Sequence, residues 1–514
     1  MGLLAWRNLW AAATAALLMA PASGAQAAWY KAETDRFVVF GEGRESQVRE
    51  YAVKLTVFDR VLRQLNPVAA DRPAGGKVEV YLVRGQGEMR RVRPETNGMI
   101  GGFYVGNNEA MFAVADVDQP GLGAQQILFH EYAHHFMLAN FPAAYPAWFV
   151  EGWAEYYQTV EITPAQIKIG DYSENRVMGL WFGRWLPVEE LLTKRVADLR
   201  GEERGAFYAQ AWLLMHYMRS DAERAAQLNT AMRAISRGED PLAAFKAATG
   251  AEPRQLDKRL QRYRKLQLIL LENNQPDPDV KLTQLPASAD DLLLENLRLM
   301  TSPPEPVDTR LLAQIRAKAA RYPGDRLAEM TLARAEFTYG DVDKAHAILD
   351  ARIAADPKDK DALVLAGVGQ YLAGHRHPAQ KPDRLRAGRR YFGKAHALDQ
   401  NDFRILFHYA KSRALEPSFP TDNDIAALLQ ARALAPSVSE ISLFAGAALM
   451  RRDRKEEAAR VLAPVLNSPH GGGGVLAAKA IMEGRSLDEA LSLAKQPAAA
   501  APPPAKPEKA ADGG

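Results

Sequence analysis

The alternation of apolar and polar residues predicts a mixed α/β region near the start of the chain. Short apolar runs at 37–40 and 78–83 have the length and composition of strands. Between them, residues 45–65 carry apolar side chains at helical spacing. Residues 101–105 and 110–114 predict two paired strands around a Gly-Asn-Asn turn.

Two strongly apolar helices are predicted next. The first contains the apolar positions from Ile127 to Leu138, and Asn140-Phe141-Pro142 ends it. Pro146 is suited to open a second helix that continues to about Tyr157. Both helices contain ionisable residues among large apolar side chains, which is costly unless something compensates the polar groups.

The first helix contains the sequence His-Glu-x-x-His at His130, Glu131 and His134. Residues four apart share one face of a helix, so both imidazoles can approach one metal ion. Zinc accepts histidine nitrogens and carboxylate oxygens and keeps an open position in catalytic sites. Glu131 lies beside that face, where it could reach a water molecule at the metal. The motif alone also occurs by chance.

The second helix supplies carboxylates at Glu151 and Glu155, again four apart. Glu151 follows His134 by seventeen positions, which leaves room for a chain reversal and an antiparallel return. Glu151 can therefore complete the two-His-one-Glu ligand set of catalytic zinc sites. The alternative is an amphipathic surface hairpin in which both carboxylates are solvated.

The paired segments HEYAHHFM and PAWFVEGWAEYY resemble the gluzincin metallopeptidases, especially bacterial peptidase-MA-like proteins. The resemblance is strong over about thirty-five residues and looser over two hundred more. It implies a zincin-like fold, with zinc held by His130, His134 and Glu151 and with Glu131 as general base. It also implies that Glu155 hydrogen-bonds a ligand imidazole, which would fix the tautomer and orientation of that ring. His135 matches no ligand position and is expected to pack.

The region from about residue 160 to 271 is predicted to be mostly helical. Within it, 185–192 and 207–218 resemble segments downstream of the zinc site in the same family. The resemblance implies a Tyr or His that donates a hydrogen bond to the oxyanion. Tyr208 is the first candidate and His216 the second, and for both a core aromatic role stays open. In zincins an edge strand beside the zinc helix pairs with substrate backbone, so the resemblance makes the hairpin at 101–114 the candidate for this role. Plain scaffold strands are the alternative.

Residues 273–286 have linker character, and beyond them the sequence repeats with a period of thirty-four. The pattern resembles tetratricopeptide repeats, in which small residues lie where two helices cross and proline ends a repeat. Such arrays usually bind a peptide or protein. Residues 375–386 are predicted to be an inserted loop, whose His375 and His377 are expected to be solvated. The spacing is seen at Pro323 and Pro357, Ala333 and Gly367, and Gly340 and Gly374, with a twelve-residue spacing at Ala333–Ala345 and Gly446–Ala458.

Composition excludes several classes of function. The net charge of +3 over 514 residues is too small to indicate nucleic-acid binding. The chain has no cysteine, which excludes disulfides, thiolate metal sites and a cysteine nucleophile. Content of 47% apolar and 25% charged residues is ordinary for a globular protein.

The first residues predict export. Arg7, an apolar run, Pro21 and Ala25-Gln26-Ala27 have the layout of a secretory signal peptide cleaved after residue 27. An uncleaved membrane anchor is the alternative, but the apolar run is shorter than the roughly twenty residues of a membrane span. No later segment is apolar enough to span, so we expect a periplasmic or secreted protein without a stable membrane span.

The sequence thus predicts an α+β fold, a zincin-like metallopeptidase domain followed by an all-α tetratricopeptide-like solenoid. The expected function is zinc-dependent hydrolysis of peptide bonds, with a repeat arm that binds the peptide or protein substrate. The alternative is a non-catalytic envelope scaffold or binding protein. The predicted divisions are the signal peptide (1–27), the peptidase-like domain (28–272), the repeats (287–495) and a disordered Ala/Pro-rich tail (496–514).

Overall fold

A computed structural model describes five stretches of the chain, residues 28–68, 76–95, 100–118, 123–301 and 306–495. The predicted signal peptide and the predicted disordered tail lie outside the described residues. Within them, none of the helices combines the length and the hydropathy that a membrane crossing requires.

Among the described residues, nine strands form two sheets in the N-terminal region. The larger sheet has the order β4-β5-β3-β2-β1-β9, in which β2, β3 and β5 run parallel and the other neighbours pair antiparallel. The smaller sheet has the order β6-β7-β8. The strands are β1 (Trp29–Glu33), β2 (Phe37–Glu42), β3 (Val78–Val83), β4 (Gly102–Gly106), β5 (Met111–Asp116), β6 (Glu161–Ile162), β7 (Gln166–Ile169), β8 (Ile269–Glu272) and β9 (Lys281–Gln284).

Ten α-helices lie between β2 and β8 in the described part of the chain. The strands and helices predicted at 37–40, 45–65, 78–83 and around the hairpin are all present, with ends shifted by a few residues. The helices are α1 (Glu45–Leu65), α2 (Gly85–Val92), α3 (Ala124–Asn140), α4 (Ala147–Gln158), α5 (Glu174–Phe182), α6 (Val188–Thr193), α7 (Glu202–Arg219), α8 (Ala222–Ser236), α9 (Pro241–Thr249) and α10 (Pro253–Arg262).

Both faces of the large sheet are covered by helices. Val80 and Leu82 of β3 pack into a core shared with α1 and α3, whereas Tyr81 and Val83 face the opposite side. Alternate residues of a strand point to opposite faces, so β3 needs apolar partners on both. The second face is covered by α2 and by the first helix beyond β9, α11 (Ser288–Thr301).

The segment predicted as a linker is part of the N-terminal sheet. Its strand β9 pairs with β1 in the register Tyr30–Gln284 through Glu33–Lys281. The expectation of linker character at 273–286 does not hold over residues 281–284, because pairing to a sheet edge satisfies backbone groups that a free tether would leave to water.

The C-terminal half is an array of paired helices, which confirms the prediction of an all-α repeat region. The predicted loop at 375–386 is instead helical over most of its length: α15 runs to Arg376, and α16 begins at Lys381 after one short 3-10 turn. The helices are α12 (Thr309–Ala319), α13 (Arg326–Tyr339), α14 (Val342–Ala355), α15 (Lys360–Arg376), α16 (Lys381–Leu398), α17 (Phe403–Ser412), α18 (Asp422–Leu434), α19 (Ser439–Arg451), α20 (Lys455–Leu466), α21 (Gly473–Met482) and α22 (Leu487–Lys495).

Small residues lie where consecutive helices of the array cross, as the repeat pattern predicted. A Cβ atom on Gly367 would lie 2.3 Å from the Phe392 ring, and one on Gly446 would lie 2.6 Å from Leu462. These distances are too short for a Cβ atom. The close approach of α15 to α16 therefore requires glycine at 367, and that of α19 to α20 requires glycine at 446.

The helical array, called the arm below, also contacts the β4–β5 hairpin. Nε2 of His408 lies 3.2 Å from the Asn108 carbonyl oxygen, and Arg334 pairs with Glu109. The Tyr104 hydroxyl lies 3.1 Å from the Ser437 hydroxyl, beside the outer edge of β4. The arm therefore packs against the hairpin that was proposed for substrate pairing.

Candidate metal centre

Two histidines and one glutamate meet between α3 and α4. The Nε2 atoms of His130 and His134, one turn apart on α3, are 3.1 Å from each other. Glu151 of α4 places Oε2 at 3.5 Å from the His134 Nε2 and at 3.7 Å from the His130 Nε2. The three predicted metal ligands are thus brought together by the reversal at residues 141–146, and all their donor atoms lie within 4.8 Å of one another.

A close helix contact holds Glu151 in place. A Cβ atom on Gly152 would lie 2.5 Å from the carbonyl oxygen of Ala211, so α4 and α7 touch backbone to backbone at this residue. Trp148 and Trp153 pack into the surrounding core. The glycine after Glu151 therefore has a packing reason, because any side chain there would push the carboxylate away from α3.

The donor set fits a zinc ion. A tetrahedral zinc site with bonds of about 2.0–2.1 Å has neighbouring donors about 3.3–3.4 Å apart, close to the separations found here. Both carboxylate oxygens of Glu151 are buried without a hydrogen-bond partner, and so is Nδ1 of each ligand histidine. Buried carboxylates normally have partners, and a cation between the three groups would supply the missing one.

The electrostatics of the three groups are coupled. Burial, reinforced by the neighbouring His134, lowers the pKa of His130 to about 3. Burial also opposes charge on His134, but Glu151 outweighs it and the His134 pKa is raised. Burial alone would raise the pKa of Glu151, yet His134 and His130 lower it to about 2. An anionic Glu151 and a neutral His130 are the protonation states that a metal ligand requires.

Glu131 lies on α3 next to the ligand pair. Burial raises the pKa of Glu131, and the Glu151 carboxylate raises it further, whereas His134 lowers it. A carboxylate with a raised pKa accepts a proton more readily near neutral pH, which is the property of a general base.

Glu155 has a stronger partner than the one expected from the sequence. Its carboxylate accepts hydrogen bonds from Arg176, at 2.7 Å from Nε and 2.5 Å from Nη2, and a further one from Gln158. Its Oε1 is 3.7 Å from Nδ1 of His130, too long for the predicted hydrogen bond. Arg176 of α5 was missed in the sequence, because a lone arginine in a polar stretch has no spacing that marks it.

Tyr208 of α7 lies on the same side as Arg176. The Arg176 guanidinium lies 5.0 Å from the centre of the Tyr208 ring. Burial raises the pKa of Tyr208, and the carboxylates of Glu151 and Glu155 raise it further. This phenol therefore keeps its proton and stays a hydrogen-bond donor close to the ligand carboxylate.

His216, the second candidate, faces elsewhere. Its Nδ1 lies 2.9 Å from the Tyr263 hydroxyl, and its other nitrogen is beside Gly170 at the end of β7. His135 lies as expected outside the ligand group, with its Nδ1 3.1 Å from the Tyr104 hydroxyl. Of the two proposed oxyanion donors, only Tyr208 is near the ligands.

One histidine at the site was not anticipated. His470, in the turn between α20 and α21, places Nε2 at 3.4 Å from Oε1 of Glu151. The surrounding sequence, Ser-Pro-His-Gly-Gly, carries no ligand spacing and lies far along the chain from Glu151. No local pattern could have connected the two residues.

Known proteins resemble this chain only weakly. No family model matches the chain, and no curated protein matches it. Among solved structures, a tetratricopeptide-repeat protein of Thermus thermophilus is 17% identical, with a TM-score of 0.32, covering 38% of this chain and 100% of its own. The Cut9–Hcn1 heterotetramer of the APC/C is 13% identical, with a TM-score of 0.30, covering 72% of this chain and 64% of that one. Scores this low carry no argument about function.

These findings correct the family prediction. The assignment to the gluzincin and peptidase-MA-like metallopeptidases is wrong: no family model supports it, and the structural neighbours are tetratricopeptide proteins with no peptidase among them. The two-part organisation, an N-terminal sheet region and an all-α repeat region, is confirmed, whereas the zincin-like fold is not. The metal ligands therefore depend on the geometry described above and on no family.

Proposed function

We propose that this chain is a protein-binding helical-repeat protein whose N-terminal domain carries a zinc-dependent hydrolase site. The observation that supports the site is that His130, His134 and Glu151 bring their donor atoms together. The Glu151 carboxylate is buried there without a hydrogen bond. The substrate class is a peptide or protein, since a helical-repeat arm offers an extended surface for such a partner.

His130, His134 and Glu151 would hold the metal. When bound there, zinc supplies Lewis acidity toward a carbonyl and makes water reactive near neutral pH. Glu131 accepts the proton of the attacking water and passes it to the leaving amine. Tyr208, kept protonated by burial, donates a hydrogen bond to the oxygen on which negative charge develops.

Arg176 has a positioning role in this scheme. It neutralises Glu155, which is fully buried beneath the ligand histidines, and its guanidinium also contacts the Tyr208 ring. A single cation thus sets the orientation of the carboxylate behind His130 and of the phenol that donates to the oxyanion.

The experiment compares Glu131→Gln, His134→Ala and the exposed control Glu161→Gln. We expect about one zinc per chain in the wild-type protein and in Glu131→Gln, and loss of zinc in His134→Ala. Hydrolysis of an unfolded protein substrate should fall by about 10²–10⁴-fold in Glu131→Gln, because the base is lost and the ligands are kept. Metal content is measured by plasma mass spectrometry. Full activity of Glu131→Gln, or a wild-type protein without affinity for zinc, would overturn the proposal.

A protein-binding role without catalysis is the second candidate. It is favoured by the arm, whose paired helices make up most of the described residues after 287, and by the contact of the arm with the β4–β5 hairpin. A wild-type protein that binds zinc and protein ligands but cleaves no member of a diverse peptide library would support this candidate over hydrolysis. Export to the periplasm or medium stays a prediction under both candidates.

A further inference from the structure

A cleft of about 740 Å³ lies between α5, α7 and the C-terminal end of α10. Sites for small organic ligands have volumes of about 300–1,000 Å³, so the cleft is large enough for one. Its lining includes Val177, which follows Arg176 on α5, and Trp212, one turn after Tyr208 on α7. The cleft thus adjoins the candidate metal centre but contains none of the residues assigned to it.

Aromatic side chains form much of the wall of this cleft: Tyr172, Trp185, Trp212 and Tyr263. Two of them are held at their polar ends. Trp185 donates a hydrogen bond from Nε1 to Oδ1 of Asp257 at 3.0 Å, and the Tyr263 hydroxyl lies 2.9 Å from Nδ1 of His216. Rings fixed in this way form a surface against which a flat apolar group can pack without reorganising the site.

The charged groups of the cleft are all cations within the described lining. Arg262 and Arg264 are both exposed, and neither forms an ion pair with a described residue. Guanidinium groups match the geometry of a carboxylate, which they bind with two parallel hydrogen bonds. Trp212 adds a further donor, since its Nε1 is buried and has no hydrogen-bond partner among the described residues.

We propose that this cleft binds a small aromatic carboxylate, with its ring against the aromatic wall and its carboxylate on Arg262 and Arg264. The site does not depend on the zinc site proposed above. Ligands of this chemistry have two sources, a free aromatic acid and the C-terminal aromatic residue of a peptide. The nearby metal centre makes the peptide end relevant, and the experiment separates the two sources.

The test titrates the metal-free full-length protein with naphthylacetate by isothermal titration calorimetry. Naphthylacetamide keeps the ring and loses the charge, so it should bind at least about 10-fold more weakly than the acid. Equal affinities of the acid and the amide, or no binding of the acid at millimolar concentration, would overturn the proposal.

Variants of exposed residues locate the ligand without disturbing the core. Replacing both Arg262→Gln and Arg264→Gln should weaken binding of naphthylacetate by at least about 10-fold and leave binding of the amide unchanged. Tyr172→Ala removes part of the aromatic wall at a residue that is 47% exposed, and should weaken both compounds by about 2–10-fold.

Arg259→Gln is the matched control, because Arg259 is an exposed cation of α10 outside the cleft lining. It should bind naphthylacetate as the wild-type protein does. A double arginine variant that matched this control would contradict the proposed carboxylate contact.

Competition identifies the source of the ligand. An acetylated tetrapeptide that ends in phenylalanine with a free carboxylate should displace naphthylacetate if peptide ends bind, and its C-terminal amide should not. If neither peptide competes while naphthylacetate still requires both arginines, the site binds free aromatic acids. Because no metal is present in these titrations, their failure would leave the tests of zinc content and hydrolysis unaffected.

Discussion

Two buried carboxylates, one in each half of the molecule, have opposite surroundings. Glu151 and Asp359 have side chains that are only 1% and 3% exposed. Asp359 is the N-cap of α15 and accepts hydrogen bonds from the Ala362 N–H, from Arg326 and from Arg352. Glu151 accepts none.

The difference distinguishes a carboxylate whose partners are all in the fold from one that we propose binds a metal. Hydrogen bonds and paired charges offset the cost of burying Asp359, so its role is complete within the fold. Glu151 is surrounded by three imidazoles at 3.4–3.7 Å and by no donor in hydrogen-bonding geometry. A buried charge without such partners points to a ligand that the chain is built to receive.

The largest predicted effect tests whether the two halves are separable. A chain ending after Glu272 loses β9 and α11, and with them the buried side chains of Leu293, Leu294 and Leu297. Burial of each such side chain contributes about 1.5–3 kcal/mol, so the loss of at least about 5 kcal/mol is comparable to the whole stability of a domain. We expect residues 28–272 to be insoluble or unfolded by circular dichroism.

A chain ending after Thr301 is the matched control. It keeps β9 on β1 and α11 on the second face of the sheet, and should melt at a clearly higher temperature. Equal melting of the two truncated chains would mean that the N-terminal domain ends before 273, as the sequence suggested.

The next effect concerns the contact that positions Glu151. Gly152→Ala places a Cβ atom 2.5 Å from the Ala211 carbonyl oxygen and should destabilise the protein by about 3 kcal/mol through overpacking. Zinc affinity should fall as well, because α4 must move away from α7. Urea unfolding and zinc competition measure the two losses.

Gly205→Ala is the control for this prediction. It lies in α7, is exposed, and has no atom within 4 Å of the point where a Cβ atom would lie. Alanine favours a helix over glycine, so this variant should be neutral or more stable by up to about 1 kcal/mol. A Gly152→Ala protein that matched it would contradict the close packing of α4 on α7.

The smallest effect concerns the structural carboxylate. Asp359→Ala removes a helix cap and the partner of two arginines, and should destabilise the arm by about 2 kcal/mol, since Arg326 is half exposed and its ion pair is screened. Zinc affinity should not change. Glu456→Ala, an exposed carboxylate of α20, should have an effect within about 0.5 kcal/mol.

The pH dependence of the free energy of unfolding gives an independent measure of how much the Asp359 ion pairs stabilise the protein. Burial alone would raise its pKa, but Arg326, the Ala362 N–H and Arg352 lower it from 3.8 to about 2. A lowered pKa in the folded state contributes stability that is present above about pH 4 and is lost as the pH falls toward 2. The free energy of unfolding of wild-type protein should therefore fall in this window more steeply than that of Asp359→Ala. Parallel curves would show that the ion pairs contribute nothing.

The sequence by itself determined the local elements and pointed to the three residues that meet at the candidate metal site. The helical spacing of residues 45–65, the strand at 78–83 and the small residues of the repeats depend on neighbours within one or two helical turns or one helix pair. His130 and His134 share a face for the same local reason, and Glu151 follows after one reversal. These are short-range relations that a linear pattern can carry.

Only the tertiary structure decided which distant residues complete the sheet and the site. The polar, proline-flanked sequence of β9 is typical of both an edge strand and a linker, so the sequence alone does not distinguish them. Arg176 and His470 have no spacing relative to the ligands, and they reach Glu155 and Glu151 only because α5 and the α20–α21 turn pack there. Such contacts depend on how whole elements pack in three dimensions, which no periodicity along the chain encodes.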